Sequence, residues 1–115
     1  MANPHRGEVE VSLGGETFIL RPTFEALAEI EKATGLGLVP FATKITTGSY
    51  GVLDVFTVLK AGIRAGGREP PKDLGQRIVE EGLIRLSDGV LNFLTQALDG
   101  GSKGAPGKAE AAPEA

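Results

Sequence analysis

The chain has 115 residues, 41% of them hydrophobic, which is enough material for one core and too little for two. A net charge of −3 argues against nucleic acid or an anionic membrane as a partner. With no cysteine there are no disulfides or thiolate metal sites, and the single histidine, His5, cannot build a zinc site by itself. No apolar run reaches the roughly 18 residues of a membrane span, and the N-terminus lacks the apolar stretch of a signal peptide, so a cytoplasmic protein is expected.

Residues 1–6 read as a flexible N-terminal arm. From Gly7 the pattern alternates strictly, with Val9, Val11 and Leu13 against Glu8, Glu10 and Ser12. Gly14-Gly15 suits a two-residue hairpin turn. The predicted strands are Gly7–Leu13 and Glu16–Arg21, with Val11 opposite Phe18, Val9 opposite Leu20, and Ile19 opposite Glu10. Val9, Val11, Phe18 and Leu20 then share one face, which helices must cover because a lone hairpin is marginal in water.

Pro22 ends the second strand, and Thr23 is the expected N-cap of a helix running to Gly35. Phe24, Leu27 and Ile30 recur at helical spacing, with Ala28 and Ala33 beside them, and define its expected core stripe. A weaker helix spans Leu36 to Thr47, with Leu38, Phe41, Ala42 and Ile45 on one face. Pro40 fits its first turn, and the threonines Thr43, Thr46 and Thr47 lower its propensity. Val52 to Ala65 forms a strong helix with Val52, Val55, Phe56, Leu59 and Ile63 on one stripe, ended by Gly66-Gly67.

Pro70-Pro71 makes a stiff joint before a short helix edged by Leu74, Ile78 and Val79, which ends near Gly82. The last helix runs from Leu83 to Leu98 and uses Leu86, Val90, Leu94 and Ala97, with Phe93 beside them. Gly89 in its middle costs about 1 kcal/mol relative to alanine, which a tight helix crossing would explain. From Gly100 onward no Leu, Ile, Val or aromatic residue occurs, so residues 100–115 are expected to be a disordered tail. The organisation is one α+β domain over residues 7–99, an N-terminal two-stranded antiparallel hairpin packed on a bundle of four to five short α-helices.

No set of residues carries recognisable chemistry. The glycine pairs lack the spacing of phosphate loops and read as turns and caps. The carboxylate pairs Glu29/Glu31 and Glu80/Glu81 read as solvated helix faces. Ser87-Asp88 and Ser49-Tyr50 have no base to activate them. The expectation is no enzyme, and no catalytic, cofactor-binding or metal residue. Two features remain for binding. Lys60, Arg64 and Arg68 form a cationic ridge, for which a solvated helix face is the simpler reading. Ile19, Tyr50, Leu53, Val58, Ile84 and Leu91 are apolar residues outside the core stripes, and would mark a protein-binding surface if they cluster.

The run from Ala2 to Leu38 resembles the start of a phage-tail family known from gene transfer agents, phage-like particles that package host DNA. The likeness is carried by Asn3, Arg6-Gly7-Glu8, the hairpin with Gly14-Gly15, Leu20-Arg21-Pro22-Thr23-Phe24 and the helix ending at Thr34-Gly35. It continues more loosely through Asp54 to Gly67 and fades after Pro71. The resemblance implies a tail assembly chaperone that binds the tape-measure protein and works with other tail proteins. The alternative is a structural tail subunit that oligomerises in the particle. It brings no catalytic residues, no cofactor, and no direct contact with nucleic acid or membrane.

Overall fold

Alternation across Gly14-Gly15 produces the hairpin that opens the fold. A computed structural model describes residues 2–3 and 6–100 of the chain; the tail from 101 on lies outside the described residues, as do Met1, Pro4 and His5 of the expected arm. Strand β1 (Val9–Leu13) pairs antiparallel with β2 (Glu16–Leu20). Val9 faces Leu20, Glu10 faces Ile19 and Val11 faces Phe18, the register expected from the sequence. Gly14 and Gly15 have φ of 62° and 86°, the two left-handed residues that a type I′ turn demands. Val9, Val11, Leu13, Phe18 and Leu20 are all buried.

Both strands are shorter than the alternation suggested. Gly7 turns left-handed, with φ 73°, and packs so closely on Pro22 that a β-carbon there would stand 3.0 Å from its Cγ. At the other end the Arg21 N–H leaves the hairpin and donates to the Gly62 carbonyl at 3.2 Å. Ahead of β1, the Asn3 carbonyl accepts from the Arg6 and Glu8 N–H groups, while the Glu8 carboxylate accepts from the Asn3 N–H at 2.7 Å.

Five helices follow among the described residues: α1 (Phe24–Thr34), α2 (Leu38–Thr46), α3 (Val52–Ala65), α4 (Leu74–Glu81) and α5 (Leu83–Asp99). The Thr23 hydroxyl accepts from the Ala26 N–H at 3.1 Å, and Gly35, at φ 73°, closes α1 with an N–H bond to Glu31. In α2 the hydroxyls of Thr43, Thr46 and Thr47 donate back to carbonyls one turn earlier. That return bonding satisfies the hydroxyls but competes with the backbone and mildly weakens a helix, so α2 is held by burial of Phe41 and Ile45. At the start of α3 the Asp54 carboxylate accepts from the Gly51 N–H at 2.8 Å.

Helix α3 is the centre of the molecule, touching β2, α1, α4 and α5. Its buried residues Val55, Val58, Leu59, Ala61, Gly62 and Ile63 spread over roughly 200° of its circumference, at 3.6 residues per turn. A single stripe was therefore too narrow an expectation. Val58, left outside it, is fully buried, and Val52, placed on it, is 40% exposed.

Helix α1 is turned relative to its expected stripe. Ala26 and Ile30 are buried, Leu27 is half-buried, and Phe24 is 80% exposed. Ala28 and Ala33 are exposed as well. The reason is the packing of α1 on α3, where Ala26, Ala61 and Ala65 line one open groove. Small residues on both helices let the axes come close, and burying Ala26 points Phe24, about 200° away on the wheel, into solvent.

Two smaller corrections concern α4 and α5. Leu74 and Ile78 anchor α4, but Val79 is 65% exposed. On α5, Leu86, Val90, Phe93 and Leu94 are buried while Ala97 is only half-buried. No tight crossing occurs at Gly89, where an added β-carbon would meet only Val11 Cγ2 at an ordinary 3.6 Å. Close approach occurs instead at Gly62 and Gly66 of the α3 end. A β-carbon on Gly62 would lie 3.0 Å from Leu20 Cβ, and one on Gly66 would lie 2.2 Å from the Ile19 carbonyl oxygen.

Candidate interaction surfaces

The cationic ridge begins on α3 and runs into the α3–α4 linker. Two of its three members are engaged within the fold. Arg64 Nη1 donates to both carboxylate oxygens of Glu29 on α1, at 3.2 and 3.4 Å. The Arg68 guanidinium lies 4.4 Å from the centroid of the Phe18 ring, bonds the Thr17 carbonyl at 3.3 Å and pairs with the Glu16 carboxylate. Lys60 Nζ sits 5.8 Å from the Phe56 ring centroid and makes no ion pair among the described residues.

Glu16, the first residue of β2, is the hub of a larger charge cluster. Its carboxylate also accepts from Arg77 Nη1 at 2.7 Å, and Arg77 Nε donates to Asp73 at 3.0 Å. The hydrogen bonds from Arg68 and then Arg77 hold the Glu16 carboxyl below the usual carboxylate range, and the bond to Glu16 raises Arg77 in turn. This cluster ties the hairpin to α4 and to the linker. Its members are partly exposed, so each pair contributes little to stability by itself. The sequence offered no signal for it, since Glu16 and its two arginines are 52 and 61 residues apart.

Beside the ridge, Phe56, Pro70, Pro71 and Leu74 form the apolar floor of an open cleft of about 200 Å³. Lys60, Arg64 and Lys72 stand around it, with Glu69 the one carboxylate.

The six leftover apolar residues divide. Val58 is core, Tyr50 and Leu91 pack partly against the core, and Ile19 is half-buried. Leu53 and Ile84 are 75% and 82% exposed. Exposed with them are Phe24, Val39, Val52, Val79 and Leu98, three of which the periodicity had placed on core edges. The apolar surface is thus real, but only two of its residues were singled out from the sequence. Among the described residues no three of His, Cys, Asp and Glu gather closely enough to hold a metal ion. No helix among them is long and apolar enough to cross a membrane.

A family model described as phage tail tube protein, GTA-gp10, matches residues 6–100, the whole of the hairpin and all five helices. The chain belongs to that family. The likeness noted up to Pro71 therefore extends through α4 and α5 of this tail protein. No curated protein and no solved structure matches it. Family membership makes it a protein of a phage-like, gene transfer agent tail, which works in contact with other tail proteins.

Proposed function

We propose that this tail protein is a non-catalytic structural subunit whose copies associate with one another, and with other tail proteins, as the tail is built in the cytoplasm. The observation that carries this reading is the match of residues 6–100 to a family described as tail tube protein. Exposed apolar side chains on separate helices, Phe24 on α1, Leu53 on α3 and Ile84 on α5, supply surface that assembly would cover. The negative charge suits contact with protein rather than with the DNA that the particle carries.

A second reading is favoured by the same apolar surface on so small a domain: a tail assembly chaperone that covers apolar helices of the tape-measure protein. Quantitative mass spectrometry of purified particles separates the two. Many copies per particle support the subunit reading. Absence from particles, with co-purification of the tape-measure protein from co-expressing cells, replaces it with the chaperone reading.

A further inference from the structure

Resting on the reading that copies associate, we infer that the cleft between α3 and the Pro70-Pro71 linker receives the α4–α5 corner of a second copy of this chain. The cleft carries a local excess of positive charge in an acidic protein. Lys60, Arg64 and Lys72 face a single carboxylate, Glu69, whereas the chain as a whole carries −3. Arg64 is already satisfied by Glu29, but Lys72 has no partner among the described residues and Lys60 has only the Phe56 ring. Beneath these charges lie Phe56, Pro70, Pro71 and Leu74. At about 200 Å³ the cleft is smaller than the roughly 300–1,000 Å³ of small-molecule sites, and its size suits an inserted side chain.

The complementary chemistry lies elsewhere on the same surface. Ile84, 82% exposed, and Asp88 stand one turn apart on α5 and share a helix face. Asp88 has no partner among the described residues. Across the single-residue joint at Gly82, α4 adds Val79, 65% exposed, and Glu80, also exposed. Arg85, beside Ile84, pairs with Glu81 at 3.9 Å, and Glu80 accepts from Gln76 at 3.1 Å. The aliphatic tip with Asp88 and Glu80 beside it thus matches an apolar floor flanked by lysines. Seating Ile84 on Phe56 and the two prolines brings Asp88 and Glu80 toward Lys60 and Lys72. Opposite charges placed this way steer the encounter and reject wrong registers. The two surfaces are different, so the contact is heterologous: each copy offers its corner to one neighbour and its cleft to another, which generates rings or filaments.

The test is sedimentation velocity over a concentration series on the full chain and on two charge-reversed variants, Lys60→Glu/Lys72→Glu and Glu80→Lys/Asp88→Lys. The wild type is expected to self-associate, and each variant alone to associate roughly tenfold more weakly or worse, because like charges then face each other. An equimolar mixture of the two variants is expected to regain association, since the reversed cleft of the first fits the reversed corner of the second, while the unaltered cleft of the second fits the unaltered corner of the first. Reversal of a carboxylate away from both surfaces, Glu25→Lys, should change nothing. Variants that associate like the wild type, or a mixture that stays dissociated, overturn the inference. A wild type that remains monomeric throughout also overturns it. The count of copies in purified particles then decides separately whether the structural-subunit reading survives.

Discussion

The carbonyl oxygen of Ile19 lies only 2.2 Å from the place where a β-carbon on Gly66 would stand. Strand β2 therefore lies directly on the last turn of α3, and nothing larger than hydrogen fits between them. One turn earlier the Gly62 carbonyl accepts the Arg21 N–H, so the two elements are joined by backbone as well as by packing. Gly66→Ala sets a β-carbon against a main-chain atom that cannot rotate away, and should destabilise by about 1–3 kcal/mol, toward the upper end. Gly89→Ala meets no such obstacle and should stabilise by up to about 1 kcal/mol through helix propensity. Urea unfolding of the two variants checks both signs; equal effects would mean that the α3–β2 approach is not the determining contact.

Phe18 and Phe24 are six residues apart and have opposite surroundings, 1% and 80% exposed. Phe18→Ala should cost about 3–5 kcal/mol as a core truncation. Phe24→Ser should stay within about 0.5 kcal/mol, as surface changes do. A large loss for Phe24→Ser in dilute solution would show that α1 buries its other face.

Thr23 ends the strand-to-helix corner with one hydrogen bond, its hydroxyl accepting from the Ala26 N–H. Removing it by Thr23→Ala should lower stability by about 1 kcal/mol. Thr23→Ser keeps the acceptor and should recover most of that loss. If serine rescues nothing, the threonine acts through packing.

The Glu16 cluster has a definite pH signature. Because Arg68 and Arg77 lower the folded-state pKa of Glu16, the folded protein holds fewer protons there than the unfolded chain. The stabilisation is present above the ordinary carboxylate value of about 4.3 and is lost as pH falls through the lowered one. Melting temperatures of wild type and Glu16→Gln should therefore differ at neutral pH and converge in acid. Carboxyl-carbon NMR should place the Glu16 midpoint below the ordinary glutamate value of about 4.3; a midpoint at or above it would contradict the cluster.

The sequence by itself determined what short-range physics controls. Alternation across two glycines specified the hairpin and its register, because a one-residue slip would have sent Val11 and Phe18 into water. Thr23 and Gly35 bounded α1 because caps act within one turn of the chain. Periodicity found each of the five helices among the described residues, including the threonine-rich α2. Tertiary structure alone decided which way α1 and α3 face. Their orientation follows from how α1, α3 and β2 pack on one another, a matter of shape between segments that no single-helix pattern contains. That packing left Phe24 exposed, buried Val58 and put the close approach at Gly62 and Gly66, against β2, rather than at Gly89. The surfaces available to partners were hidden for the same reason. Whether an arginine is free or already paired depends on residues brought together across the fold, as Glu16 is with Arg68 and Arg77.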